Sequence, residues 1–156
     1  MNGIRIVIVV LPQTVVENLQ EKISRGIKDG LRDVGFQIER RAKRNAPVNT
    51  GALRRSITID DSKENVVRVG SNLKYAPFVE FGTKPHMPPW EPIEYWVRRK
   101  LRIKDKKELQ KVTFIIRKKI AVRGTKGQFY LTRAFNDVKP RIPRVIRLYI
   151  QRYLQD

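Results

Sequence analysis

The sequence predicts an α+β fold in which an antiparallel β-sheet packs against a long N-terminal α-helix, with additional C-terminal helices. Apolar residues recur at helical spacing between residues 15 and 42, which predicts the long helix. Two short alternating segments, 56–59 and 66–69, flank a polar stretch and predict an antiparallel hairpin. Helical spacing returns after residue 92. A chain of 156 residues is expected to form a single domain, 1–156.

The start of the chain is expected to form a strand followed by the long helix. Residues 3–11 are β-branched almost throughout, which favours a strand that ends at Pro12. Thr14 and Glu17 have the spacing of a capping box, so the helix is expected to begin there and to run to about Arg44.

Two glycines, Gly26 and Gly30, lie four positions apart within the predicted helix. Each should cost about 1 kcal/mol of helix stability relative to alanine. Either they form a small-residue face that lets another backbone approach, or their spacing is chance. The sequence leaves both explanations open.

The middle of the chain is predicted to contain short elements separated by turns. Residues 45–51 should break the helix, with Thr50 capping a short helical turn over 51–55. Pro77 is expected in the first turn of a short helix that runs through Phe81 and closes at Gly82. The segment that follows, 83–92, holds four prolines and is expected to be an extended loop.

The remaining residues predict further helices. Apolar spacing indicates helices around 93–101, 112–120 and 131–135, with a loop at 124–127. A last amphipathic helix is expected after Pro140 and Pro143.

The sequence contains few residues from which an active site could be built, so we expect no enzymatic activity, no cofactor and no metal. The chain has no cysteine and one histidine, His86, which lies in the proline-rich segment without an evident orienting partner. Glu91 and Glu94 lie one helical turn apart and are expected to be ordinary helix surface. The Gly-Thr-Lys-Gly run at 124–127 lacks phosphate-loop spacing, and a turn with a solvated lysine is the simpler interpretation.

No membrane segment is expected. The apolar run from Ile4 to Leu11 is interrupted by Arg5 and is far shorter than the roughly 20 residues of a membrane span. It also lacks the basic region and cleavage site of a secretory signal. The chain is therefore expected to stay in the cytoplasm until it is assembled into a larger structure.

The net charge of +19 is the most extreme property of the chain. Residues 98–123 hold twelve lysines and arginines against two acidic residues, which leaves +10 on this stretch. Such clustering fits either a polyanion-binding surface or a solvated basic face. Phe114 is the one aromatic residue in the stretch, and no base-reading motif accompanies it, so any nucleic-acid contact is expected to be sequence-independent.

Three segments together resemble a known family. They are Asn-Ala-Pro-Val-Asn-Thr-Gly-Ala-Leu-Arg-Arg-Ser-Ile at 45–57, Val-Gly-Ser-Asn-Leu-Lys-Tyr-Ala-Pro-Phe-Val-Glu-Phe-Gly-Thr at 69–83, and Gly-Thr-Lys-Gly-Gln-Phe-Tyr-Leu-Thr-Arg-Ala-Phe at 124–135. Their order and spacing resemble the gene-product-ten-like tail-component family of long-tailed phages, the head–tail joining or tail-completion proteins. The resemblance suggests a family-like core at 12–135, followed by a less typical C-terminal helix at 136–156.

The resemblance implies a structural protein of the particle neck, in a live virus or a prophage. It implies a homo-oligomeric ring, expected as a hexamer, between the phage connector and tail proteins, with host cytoplasm as the site of assembly. Because a heavily basic channel would grip passing double-stranded DNA, most charge at 98–123 is expected to face outward or toward acidic neighbours. At most part of it should contact DNA non-specifically.

Two sets of residues are candidates for contacts. The aromatic residues of 75–81 either pack in the monomer core or, with Trp90, face a neighbouring subunit. Glu80 is expected to seek a basic partner such as Arg54 or Lys84. The candidate subunit or partner interface comprises Arg54, Arg55, Tyr75, Phe78, Glu80, Phe81, Lys84 and Trp90. The candidate polyanion contacts are Arg98, Arg99, Lys100, Arg117, Lys118 and Lys119.

One alternative function remains open. The charge alone would also suit a stand-alone, sequence-independent nucleic-acid-binding protein, although a reader motif and a stacking platform are missing. A small basic nuclease is the weakest interpretation, because no acid–base or metal-binding cluster can be assembled from the sequence.

Overall fold

The computed structural model describes residues 12–155 and confirms the α+β class. The predicted strand at 3–11 lies outside the described residues. The elements are α1 Gln13–Asn45, α2 Ala52–Ser56, β1 Ile57–Lys63, β2 Val66–Ser71, α3 Ala76–Phe81, β3 Gly82–Thr83, α4 Trp90–Leu101, α5 Lys106–Arg123, β4 Thr125–Lys126, α6 Tyr130–Val138, a 3-10 turn Lys139–Arg141 and α7 Ile142–Gln155. None of the described helices is long and apolar enough to cross a membrane.

The long helix α1 has the predicted length, but the predicted capping box is wrong. Pro12 occupies the N-cap position, and its carbonyl oxygen accepts hydrogen bonds from Val15 and Val16 at 3.0 and 3.3 Å. Thr14 already lies inside the first turn, so its hydroxyl cannot cap the helix. At the other end Ala46 is extended, because the residue before a proline disfavours the α conformation.

The two glycines of α1 form the face on which α7 packs. A Cβ atom at Gly26 would lie 2.7 Å from the Ile150 Cα, and one at Gly30 would lie 3.0 Å from the Ile146 Cα. The spacing of four residues is therefore matched on α7, and the two backbones approach closely along it. The close-approach explanation is confirmed.

The hydrophobic core lies where α1 meets the β1–β2 hairpin and α6. The hairpin is antiparallel, as predicted, with Ile57 opposite Ser71 and Ile59 opposite Val69. Its strands extend further into the polar stretch than predicted, which leaves a tight turn at Asn65 with φ of 56°. Fully or nearly fully buried core residues are Val34, Ile38, Ala42, Ala46, Leu53, Ile57, Ala76, Tyr130, Ala134 and Val138.

Helices α4 and α5 form a hairpin that we call the arm, residues 84–123. They pack on each other around Val97, Leu109 and Thr113, and within the described chain their contacts with α1, α6 and α7 are marginal. The pairing of β3 with β4 joins the arm to the core, with Thr83 opposite Thr125.

The join between arm and core differs from the sequence prediction. Residues 124–127 were expected to form a loop, but Thr125 and Lys126 form β4. Helix α4 begins at Trp90, inside the segment expected to be an extended loop, because Pro92 is tolerated within a first helical turn. A two-residue strand has too little alternation to be recognised from sequence, and its partner lies about forty positions away.

Candidate interaction groove

An open apolar groove of about 1090 Å³ lies between the core and the arm. Its size is at the upper end of that of ligand pockets, and its lining residues come from five parts of the chain. The lining residues are 47–53 after α1, Tyr75 with Phe78 and Val79 of α3, Gly82 to His86 and Pro88 around β3, Ile93, Trp96 and Lys100 of α4, and Ile120, Thr125, Lys126 and Gln128.

The first side of the groove is the turn between α1 and α2. Gly51 adopts φ of +78° and precedes α2, and the Thr50 hydroxyl accepts a hydrogen bond from the Ala52 amide at 3.3 Å. The helix begins one residue later than predicted and has Gly51 at its N-cap position, so the predicted capping role of Thr50 is wrong and its hydroxyl stabilises the preceding turn. Asn49 also lines the groove, and its side-chain carbonyl oxygen is buried without a hydrogen-bond partner among the described residues.

The second side is α3, whose aromatic residues are largely exposed. Phe78 and Phe81 are 59% and 69% exposed, and Tyr75 is also exposed, whereas Val79 packs against the core. Of the two alternatives, packing of the aromatic residues of 75–81 in the monomer core is therefore wrong. Because Ala76 and Glu80 occupy the buried face of this six-residue helix, its aromatic residues lie on the exposed face.

Glu80 is the structural anchor of this region. It is 4% exposed, and its carboxylate accepts hydrogen bonds from the Leu131 and Thr132 amides at 2.9 Å each, and from the Thr132 hydroxyl at 2.6 Å. These amides belong to the first turn of α6, so Glu80 caps that helix and complements its dipole.

The guessed pairing of Glu80 with Arg54 or Lys84 is wrong. Ion pairs in the described chain do not include Glu80, and its carboxylate is already occupied by α6. Arg54 and Arg55 are exposed on α2, as expected, and Lys84 lies at the groove. The charge on Glu80 also raises the pKa of the nearby Tyr130 hydroxyl, although burial of that side chain is the larger cause.

The third side is the arm. Trp96 is 38% exposed and lines the groove together with Ile93, although spacing alone had predicted only that both belong to a helix. Trp90 does not line the groove. Its indole donates to Glu94, and the Arg117 guanidinium lies 5.0 Å from the ring centroid while donating to the Pro88 carbonyl at 2.9 Å.

The candidate polyanion residues do not share one surface role. Arg117 is engaged at the base of the arm, Arg98 pairs with Glu94 at 3.1 Å, and Lys100 lines the groove. The others are exposed: Arg99 donates to Tyr95, Lys118 lies over Phe114, and Lys119 is solvent-facing. The sequence treated these positions as one run, but the helix distributes them around the arm.

The electrostatics of the groove are one-sided. Lys84, Lys100 and Lys126 line it, and none of its lining residues is acidic. His86 is exposed, and its Nδ1 lies 2.9 Å from the Lys84 carbonyl oxygen instead of a carboxylate. Among the described residues no group of three or more potential metal ligands occurs. The site therefore combines apolar area with positive charge, which is the composition of a docking surface.

Comparison with known families places the core of this chain. Residues 13–82 match the family model described as "Bacteriophage HK97-gp10, putative tail-component". This segment is therefore similar to the gene-product-ten-like tail-component family of phages, which agrees with the resemblance seen in the sequence. The match spans α1 to α3 and ends where β3 begins, so the arm and the third family-like segment, 124–135, lie beyond it. No curated protein and no solved structure matches the chain.

Proposed function

We propose that this protein acts in the neck of a tailed phage or prophage particle, where it joins head to tail or completes the tail as a homo-oligomeric ring. The observation that carries the proposal is the tail-component segment, 13–82, which also builds two sides of the exposed groove. A monomer rarely leaves such large apolar side chains as Phe78 and Phe81 exposed together without a partner. The hexameric state is part of the proposal and rests on the family resemblance.

The proposal includes a purely structural role, without catalysis or cofactor. His86 has a backbone carbonyl beside its Nδ1, where a catalytic base would be oriented by a carboxylate. Glu80 is occupied in capping α6, and Glu94 accepts from Trp90 and Arg98. These pairings favour a scaffold in which the polar groups hold the fold together.

The decisive experiment deletes the gene from the phage or prophage that encodes it and examines the particles by electron microscopy. We expect filled heads and tails that remain separate, or tails of irregular length, with rescue by the wild-type gene in trans. Three-dimensional reconstruction of the rescued necks should show the chain in a closed ring. Normally joined particles from the deletion strain, or absence of the protein from purified particles, would contradict the proposal.

A second function, non-specific DNA binding, is favoured by the arm. Residues 90–123 of the arm contain twelve lysines and arginines, all but Arg117 exposed, and four acidic residues. Charge reversal of Lys118 and Lys119 to glutamate should weaken binding to a double-stranded DNA fragment and flatten its salt dependence. Reversal of Arg141 and Arg144, which are exposed outside the arm, is the control with the same change in net charge.

The two functions make different predictions for this pair of variants. If the arm contacts DNA, the arm variant loses more affinity than the control at every salt concentration. Equal losses would mean that only net charge matters, and the DNA function would then have no specific surface. Particle joining by the arm variant would show whether such contact matters for assembly.

A further inference from the structure

We propose that the groove binds an apolar segment rich in aspartate and glutamate that belongs to a different protein, not a second copy of this chain. The inference rests on the proposed function for the place of that partner, a neighbour in the particle neck. Its chemistry rests only on the groove itself. The argument has three steps: apolar area, charge and exclusion of occupants from the chain itself.

The first step is the apolar area that the groove leaves uncovered. Phe78 of α3 and Tyr75, which directly precedes α3, line one side, and Trp96 of α4 lines the other. All three are more than a third exposed, and Val48 beside them is 39% exposed. Aromatic side chains of this kind dominate the central contacts of protein interfaces, because each buries a large area with few rotatable bonds. Double-stranded DNA keeps its bases stacked inside the duplex and presents phosphates and sugars, which do not cover apolar rings, so a protein segment suits these side chains better than duplex DNA.

The second step is the charge of the lining. Lys84 and Lys126 lie at the β3–β4 side, and Lys100 lies across the groove on α4. All three are exposed, and none of them forms an ion pair among the described residues. Because the lining contains no carboxylate, an incoming segment meets like charge if it is basic and opposite charge if it is acidic. The favoured segment therefore places carboxylates beside its apolar side chains.

The third step excludes a second copy. Because each chain carries a net charge of +19, the three lysines of the groove repel a second copy more than an uncharged apolar face of the same chain would. The two sides of a ring contact are better supplied by other exposed apolar residues. Ile115 and Val122 on α5 and Leu148 on α7 are more than half exposed and lie away from the groove lining.

The N-terminal residues of the same chain are also unsuitable. Residues 1–11 contain Arg5 and no acidic residue, so their charge has the wrong sign. Helix α1 has 33 residues and is about 50 Å long, and the groove begins at Pro47, beyond its far end. The eleven residues before Pro12 span at most about 40 Å when fully extended, which is still less than the length of α1. An acidic, apolar segment from another protein remains.

Binding of three labelled peptides to the purified full chain tests the proposal by fluorescence anisotropy. The first is a short, capped peptide of leucine, phenylalanine and glutamate. In the second, lysine replaces glutamate, and in the third, serine replaces leucine and phenylalanine. We expect saturable binding of the first peptide, and affinity lower by at least about tenfold for each of the other two.

Paired variants locate the binding surface. Phe78→Ser should weaken binding of the first peptide by about tenfold or more, whereas Phe114→Ser, at a residue 50% exposed on the arm outside the groove, should leave it unchanged. Lys100→Glu should weaken it more than Lys111→Glu, which makes the same charge change on the outside of α5. All four positions are exposed, so we expect each variant to keep the fold, and circular dichroism checks this.

Each contrary result overturns a specific step. If the lysine peptide binds as tightly as the first peptide, the charge argument is wrong. If the serine peptide binds as tightly, the groove is only a polyanion-binding surface and the apolar side chains contribute nothing. Equal effects of Phe78→Ser and Phe114→Ser place the site elsewhere. Loss of self-association in Phe78→Ser, measured by analytical ultracentrifugation, would assign the groove to a second copy. If the peptide tests fail but the wild-type gene still restores particle joining in the deletion strain, the groove proposal is wrong and the proposed function stands. The two proposals can therefore fail separately.

Discussion

Replacement of Glu80 by glutamine should destabilise the fold strongly, although it changes only one atom of the side chain. The Oε1 atom accepts from the Thr132 amide and hydroxyl, and Oε2 accepts from the Leu131 amide. A glutamine keeps one acceptor oxygen and turns an NH2 group toward a buried donor at the start of α6. Hydrogen bonds to a charged group contribute about 1.5–3 kcal/mol each, and a donor left unpaired costs about 1–3 kcal/mol. We expect a loss of about 2–3 kcal/mol in the free energy of unfolding.

Urea denaturation followed by circular dichroism measures this loss, and thermal melting should show a decrease of about 5–10 °C for a chain of this size. Glu64→Gln is the matched control, because Glu64 is exposed at the hairpin turn. Thr132→Val should cost about 1 kcal/mol, since it removes the hydroxyl bond and keeps both amide bonds. The capping role of Glu80 is refuted if Glu80→Gln and Glu64→Gln change the stability equally.

Three further predictions concern packing, a buried hydroxyl and pH. Gly26→Val should lower the free energy of unfolding by at least about 2 kcal/mol, because a Cβ at position 26 would meet the α7 backbone. Gly70→Val is the control, since open space surrounds Gly70, and equal urea midpoints for the two variants would contradict the close packing. Thr113→Val should raise the stability by up to about 1 kcal/mol, because the buried Thr113 hydroxyl has no hydrogen-bond partner in the described chain; a large loss would reveal a hidden partner. Because burial raises the pKa of Tyr130 in the folded chain, the unfolded chain loses this proton first, and stability present below about pH 10 should fall as the pH rises through the folded-state pKa. Tyr130→Phe should reduce this fall in urea midpoints measured across that pH range, and an unchanged pH dependence would show that Tyr130 is not its cause.

The placement of the arm gives the tail-component segment a distinctive context. The family match ends at Gly82, and the chain returns to the core at β4 directly opposite, so the whole arm is inserted at a two-residue strand pair. Gly82 adopts φ of +81°, and a Cβ there would lie 2.2 Å from the Thr125 carbonyl oxygen. The β3–β4 pairing therefore holds α4 of the arm beside α3, and the groove exists because of this pairing.

Local sequence patterns were sufficient for most of the helices and for the β1–β2 hairpin. The apolar period of α1 persists over many turns, and the proline after Ala46 ends it regardless of tertiary contacts. The family-like segments were likewise recognisable from linear spacing, and the match over 13–82 confirms the first and nearly all of the second. Gly26 and Gly30 marked a close approach, but only the fold shows that α7 is the helix that approaches.

Tertiary structure decided everything that depends on residues distant in sequence. Glu80 looked like a lone charge among aromatic residues, and its true partners lie about fifty positions away at the start of α6. Trp96 and Lys100 joined Phe78 in one groove only because β3 pairs with β4 and brings the arm beside α3. Periodicity reports which face of an element is apolar, but it cannot report which other element covers that face or leaves it open. The sequence by itself therefore determined most of the elements and the family resemblance, and the three-dimensional fold determined which residues line the groove.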